Sequence, residues 1–151
     1  MTERTRLLGV DYGAVRVGLA VCDATRLIAS PLTTYQRRDP ERDAAFFREL
    51  AGSEEVGGLV VGLPVHLDGR EGQSAQAARK FGGWLAEVTA LPVVFWDERF
   101  TTHTAEGELW EAGLTHQRRR DRRDRVAAQM LLQSYLEAGC PPESPPRPLD
   151  E

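Results

Sequence analysis

Three acidic sites stand where apolar segments begin or end. Asp11 closes RLLGVD, Asp97 and Glu98 follow LPVVFW, and Asp124 opens the apolar stripe of the last helical segment. A carboxylate among strand-forming residues is disfavoured and costly to bury, so each needs backbone donors, a cation or a metal ion. From position 124, the residues at i+3, i+4 and i+7 are Ala127, Ala128 and Leu131, which puts Asp124 on the packing face of a helix. In open α/β sheets the functional crevice lies outside the carboxyl ends of the strands, where Asp11 and the Asp97–Glu98 pair would be neighbours. Carboxylates gathered there repel one another. Mg²⁺ or Mn²⁺, hard ions that prefer oxygen ligands, would relieve the repulsion. Two such ions about 4 Å apart stabilise the attacking and the leaving oxygen in phosphodiester hydrolysis. Taken singly, each acid has a plainer reading. Asp11 caps a turn, Asp97 and Glu98 cap the next helix or pair with Arg99, and Asp124 favours a helix dipole. Their joint occurrence at one edge favours the metal site.

The elements that would position these groups follow from periodicity. Residues 6–11 and 17–22 read as strands joined by YGAVR, a connection short enough for an antiparallel hairpin. Residues 27–34 make a third strand, with Pro31 suited to an edge or a bulge. Pro40 starts a helix bearing Ala44, Phe47 and Leu50/Ala51. GLVVGLP, 58–64, is a buried parallel strand, and HLDGREGQ is a polar loop. A helix over 74–89 presents Ala77/Ala78, Phe81, Leu85 and Val88 on one face. A strand over 91–99 precedes a helix in TTHTAEGELWEAG, capped by Thr101 or Thr102 and stopped at Gly113. LTHQ links it to a last helix over 121–138. The order predicts an α/β domain, ribonuclease H-like, over residues 1–139. Its sheet is mixed and five-stranded, three antiparallel strands then two parallel, with helices on both faces. CPPESPPRPLDE, residues 140–151, has five prolines in twelve residues and reads as a disordered or polyproline-like tail.

Composition narrows the class. A chain of 151 residues with 41% hydrophobic and 28% charged residues suits one soluble domain with a proper core. Cys22 and Cys140 form neither a disulfide framework nor a CxxC pattern. No apolar run approaches the roughly 20 residues of a membrane span, and a cytoplasmic location is expected. The net charge is −4, yet RRRDRRDR, 118–125, holds six arginines and two aspartates. Lys80 is the single lysine. The plain reading of the arginine run is a solvated helix end; its functional reading is bidentate pairing with phosphate. His66, His103 and His116 lack metal-ligand spacing and read as surface or loop residues.

Taken in order, the segments GVDYGAVRVGLAVCD (9–23), ASPLTT (29–34), LVVGLPVHLDGREG (59–72), ARKF (78–81), DERFTT (97–102) and RDRVAAQMLLQSYLEAG (123–139) resemble the YqgF-type family. Its members are pre-16S rRNA nucleases related to Holliday junction resolvases. The resemblance spans nearly the whole chain outside the proline tail. It implies cleavage of nucleic acid, most directly the 5′ end of precursor 16S rRNA, by acidic residues with Mg²⁺ or Mn²⁺. Carried over by motif, Asp11, Glu98 and Asp124 are the catalytic acids. Those three and Asp97 form the candidate ligand set. Adjacent strand residues face opposite ways, so only one of Asp97 and Glu98 should reach the metal, and Glu98 is favoured. Arg16, Arg99, Arg118, Arg119, Arg120, Arg122 and Arg123 would hold phosphates, with the loop 65–72 flanking the site. Ala14 and His66 depart from residues common in the family at those loop positions. Three alternatives stand beside this reading: a branched-DNA resolvase, a non-catalytic RNA-binding assembly factor, and an actin-like ATPase, for which 151 residues leave no second domain. A monomer or weak dimer is expected, with no membrane association.

Overall fold

The computed structural model describes residues 5–66, 68–100 and 115–142. Strands β1 (Arg6–Asp11), β2 (Arg16–Cys22) and β3 (Ala29–Gln36) are followed by helix α1 (Pro40–Ser53), β4 (Val56–Leu63), α2 (Gln73–Thr89) and β5 (Val93–Asp97). A single 3₁₀ turn, Glu98–Phe100, and helix α3 (His116–Glu137) complete the described elements. The predicted helix after Thr101/Thr102 and nearly all of the proline tail lie outside the described residues.

The sheet order is β3-β2-β1-β4-β5. β1 pairs antiparallel with β2 and parallel with β4; β3 joins β2 antiparallel, and β5 joins β4 parallel. This is the mixed five-stranded sheet expected of a ribonuclease H-like α/β domain. β1 lies at its centre, and its residues Leu7–Val10 are all buried. Alternation sorts them between two cores. Leu8 and Val10 meet Phe47 and Ala51 of α1 and Phe81 and Leu85 of α2. On the other face Leu7 meets Ala128, Leu132, Tyr135 and Leu136 of α3. Asp11 shares the parity of Leu7 and Gly9, and so ends β1 on the α3 side.

Several boundaries differ from the sequence reading: β4 runs Val56–Leu63 rather than 58–64, and β5 ends at Asp97, with Glu98 and Arg99 in the 3₁₀ turn, rather than spanning 91–99. β3 runs Ala29–Gln36 rather than 27–34; Pro31 does sit on an edge strand, where the register shifts opposite Leu19 and Ala20. Helix α3 begins at His116, five residues before the expected start, with Thr115 as its cap: the Thr115 hydroxyl accepts from the Arg118 N–H at 3.1 Å. The supposed linker LTHQ thus ends in helix. An arginine run has no apolar period to announce a helix, so the start was invisible to a periodicity argument.

α3 is fastened to the sheet polar group by polar group. Gln133 accepts from the Ala29 N–H at 2.8 Å and donates to the Leu27 carbonyl at 3.0 Å, while Gln129 donates to the Ala29 carbonyl at 3.2 Å. The Thr34 hydroxyl donates to the Asp121 carbonyl, and Trp96 donates to the Ser134 hydroxyl at 3.1 Å. At its other end the helix backbone rests directly on β2. A Cβ on Gly18 would be driven into the Asp124 carbonyl. Backbone cannot yield as a flexible side-chain tip can, so Gly18→Ala should cost about 3 kcal/mol of folding stability. Urea unfolding of the variant checks this; a loss under about 0.5 kcal/mol would mean that α3 moves aside freely.

Candidate active site

Asp11, Glu98 and Asp124 come from β1, the 3₁₀ turn after β5, and α3, and they converge on the α3 side of the sheet edge. Gly62 on β4 makes room: a Cβ there would lie 2.5 Å from Glu98 Oε1 and 3.1 Å from Leu131 Cδ2. Burial raises the Asp11 pKa to about 8, aided by the charge of Glu98, a side-chain hydrogen bond with Glu98, and the charge of Asp124. At neutral pH Asp11 therefore holds its proton against Glu98. Two carboxyl groups sharing one proton is the state such a pair adopts when no cation is present to neutralise it.

Asp124 is nearby but differently engaged. Its Oδ2 accepts from Arg16 Nε at 2.8 Å, and Asp121 lies 3.9 Å from the same nitrogen. The hydrogen bond to Asp124 raises the pKa of Arg16. Register explains the pairing: Asp11 faces Gly18 across the hairpin, and Arg16 is two residues along β2 on the same face. Arg16, expected on phosphate, is held by a carboxylate. Asp124 is consequently drawn toward Arg16, and no three His, Cys, Asp or Glu side chains among the described residues are gathered as a ready metal cluster.

The structure separates Asp97 from this group. Asp97 ends β5 on the opposite face and pairs with Arg99 two residues on, with Arg99 Nη2 2.5 Å from Asp97 Oδ2. The two side chains are 7% and 6% exposed. Arg99 also donates to the His66 carbonyl at 3.1 Å, which ties the 65–72 loop to the end of β5. Arg99, expected on phosphate, is thus spent inside the protein. Of the arginines at the start of α3, Arg118, Arg120 and Arg123 are exposed, while Arg119 and Arg122 are half-buried. His66, Asp68, Arg70 and Glu71 line an open cavity of about 670 Å³ beside the loop. His116 begins α3, and His103 lies outside the described residues. Gly18 and Gly62, which permit the convergence, were missed by the sequence reading; a glycine inside a strand is the signal of close approach that would have found them.

This strand order, with acids at the carboxyl edge of β1 and β5 and on the covering helix, defines a ribonuclease H-like protein with an acidic edge site. T. thermophilus RuvC in complex with a Holliday junction substrate has the same fold: TM-score 0.54, 15% identity, covering 89% of this chain and 96% of that one. The chain belongs to the RuvX family, whose model, described as a Holliday junction resolvase, matches residues 5–138. A protein of Rhodopirellula baltica named "Putative pre-16S rRNA nuclease" is 47% identical over 133 residues, 88% of this chain and 77% of its own length. A Myxococcus xanthus protein of the same name is 41% identical over 145 residues, 96% of both chains. The family drawn from the motifs is therefore the family to which the chain belongs.

The Asp11 environment has a measurable consequence. The group is protonated in both states below pH 4. Between pH 4 and 8 it ionises when unfolded but not when folded, so stability falls as pH rises through that window and levels off above it. Asp11→Asn removes the effect. In chelator the variant should be more stable than the wild type by about 2–4 kcal/mol at pH 8–9 and nearly equal at pH 4, by urea unfolding. A gain independent of pH would contradict the raised Asp11.

Proposed function

We propose that this protein is a nuclease that hydrolyses phosphodiester bonds with Mg²⁺ or Mn²⁺, acting on the 5′ end of precursor 16S rRNA. The observation that carries the reading is the carboxyl pair Asp11–Glu98, with Asp124 beside it, at the carboxyl edge of the sheet. An all-oxygen donor set that otherwise needs a proton to coexist fits a hard divalent cation. Asp11 and Glu98 would hold the ion, and Asp124 would join them on releasing Arg16. When bound, the ion would supply an activated water and neutralise charge on the reacting phosphate. The remaining work belongs to the chain. Arg16, released from Asp124 by the same exchange, would become a free guanidinium at the site and could donate to a pair of phosphate oxygens.

The start of α3 supports a polyanion. Helix N-termini favour negative charge, yet the first turn of α3 has no acid and carries Arg118 and Arg119. Cations at that end are tolerated where an external anion neutralises them, and exposed Arg118, Arg120 and Arg123 would track a phosphate backbone. The Asp97–Arg99 ion pair takes a structural part instead, bracing the turn that presents Glu98.

RNA is favoured over branched DNA by the name its curated relatives carry. The family model's description keeps the four-way junction as the second reading. Purified protein should cut a precursor 16S 5′ fragment with Mn²⁺, and a four-way junction far more slowly in the same salt, which must be fixed because phosphate-driven affinity depends steeply on it. Asp11→Asn, Glu98→Gln and Asp124→Asn should each slow cutting at least about a hundredfold, and chelator should stop it. Asp97→Asn should instead lower stability by about 3 kcal/mol, because it strands a buried Arg99. Undiminished cutting by folded Asp11→Asn would defeat the reading.

A further inference from the structure

We propose a second site: a nucleobase pocket for single-stranded RNA on the α1–α2 side of the same sheet edge, seating a base that flanks the phosphodiester presented to Asp11 and Glu98. The flanking role rests on the nuclease reading above; binding in the pocket does not.

The pocket is a cavity of about 450 Å³, within the range of small-ligand sites. Tyr12 forms one wall. It directly follows Asp11 and packs into the core on the opposite face of the sheet. Carboxylate and phenol thus stand back to back across the end of β1, their Cα atoms one peptide apart, about 3.8 Å. A strand of nucleic acid crossing that edge would meet both.

The wall chemistry suits a base. Phe81 and Trp84 lie near-parallel, 29° apart with centroids 5.5 Å apart, and Tyr12 lies 4.7 Å from Phe81. Trp84 is only partly buried, which leaves aromatic surface on which a base can stack. The Arg37 guanidinium sits 5.4 Å from the Tyr12 ring centroid and 5.2 Å from that of Phe81. Lys80, exposed, is the chain's single lysine and stands at the rim.

The polar groups are partly unspent. Asp43 is 3% exposed. Its Oδ1 accepts from the Tyr35 hydroxyl at 2.6 Å and the Arg38 N–H at 2.9 Å. Its Oδ2 lies 3.7 Å from Arg37 Nε, too far for a hydrogen bond, and that buried Nε has no other acceptor among the described residues. A donor and an acceptor therefore stand side by side without satisfying each other, which costs the fold something. The edge of a base carries the complementary acceptor and donor, while Lys80 would take the adjoining phosphate. One carboxylate between two cations does not suit a metal ion. A duplex, whose bases are already stacked, could not enter.

The test measures binding in chelator, where no cutting occurs. Short single-stranded oligoadenylate and oligouridylate RNA should bind the wild type and quench its tryptophan fluorescence; duplex RNA should not compete at equal concentration. Trp84→Ala should weaken single-strand binding about tenfold. Lys80→Glu, at an exposed position that leaves the core intact, should weaken it similarly, and Lys80→Ala should reduce the salt slope by about one. Binding is read without cutting, so loss of cutting in Asp11→Asn speaks only to the nuclease reading. Unchanged single-strand affinity in folded Lys80→Glu and Trp84→Ala would overturn the pocket. So would a shift of Trp84→Ala to a different oligomeric state, which would make this face an interface between copies.

Discussion

Everything at this site depends on how closely α3 can lie against the sheet. The helix touches β2 backbone to backbone at Gly18, and from there its apolar residues run along the sheet to Leu136. That contact brings Asp124 within the field of Asp11 and Glu98. Left alone, three carboxylates at a low-dielectric edge would push the helix away. The protein answers with two separate neutralisations. A proton stays between Asp11 and Glu98, and Arg16 crosses from β2 to Asp124. Under the proposed function, a divalent cation would take the place of the proton and a phosphate would compete for the arginine.

The two acids at 97 and 98 show how the end of a strand divides roles. Asp97 is the last residue of β5 and keeps its alternation, while Glu98 opens the 3₁₀ turn, where the backbone leaves the strand and carries its carboxylate to Asp11. Asp97 is closed into an ion pair with Arg99 that is almost free of solvent, and Arg99 in turn anchors the His66 carbonyl. Such a pair contributes little net stability compared with a good apolar contact, but it fixes a geometry. What it fixes is the turn that offers Glu98 to the opposite side. The same logic at β1 sets Asp11 against α3 and sends Tyr12 into the core beneath α1 and α2.

How much of this could be read beforehand depended on local signals. β1 matched residue for residue, because a short apolar run bounded by polar residues leaves no freedom. α1 announced itself through Pro40, and the structure adds that Asp39 caps it, accepting from the Arg42 N–H at 2.8 Å. Asp124 was legible as an acid on a packing face. The engagement of Arg16 with Asp124 was not, since the two are 108 residues apart and only the hairpin register aligns them. Arg99 was assigned to phosphate although pairing with its acidic neighbours stood as the plainer reading of DERF, and that pairing, with Asp97, is what forms.

The early start of α3 follows from the same division of labour within one helix. Its second half supplies the core: Ala128, Leu131, Leu132, Tyr135 and Leu136 are buried. Its first half supplies charge, and its leading turns are mostly exposed. An isolated segment of that first half would be a poor helix, with arginines at the positive end of the dipole and repelling one another three and four residues apart. It is helical because nucleation has already been met by the packed half, and each further residue then adds a hydrogen bond at small cost. The Thr115 cap and the salt links from Asp121 and Asp124 to Arg16 hold the extension in place. One helix thereby contributes both Asp124 to the acidic edge and an arginine-rich surface at its own start.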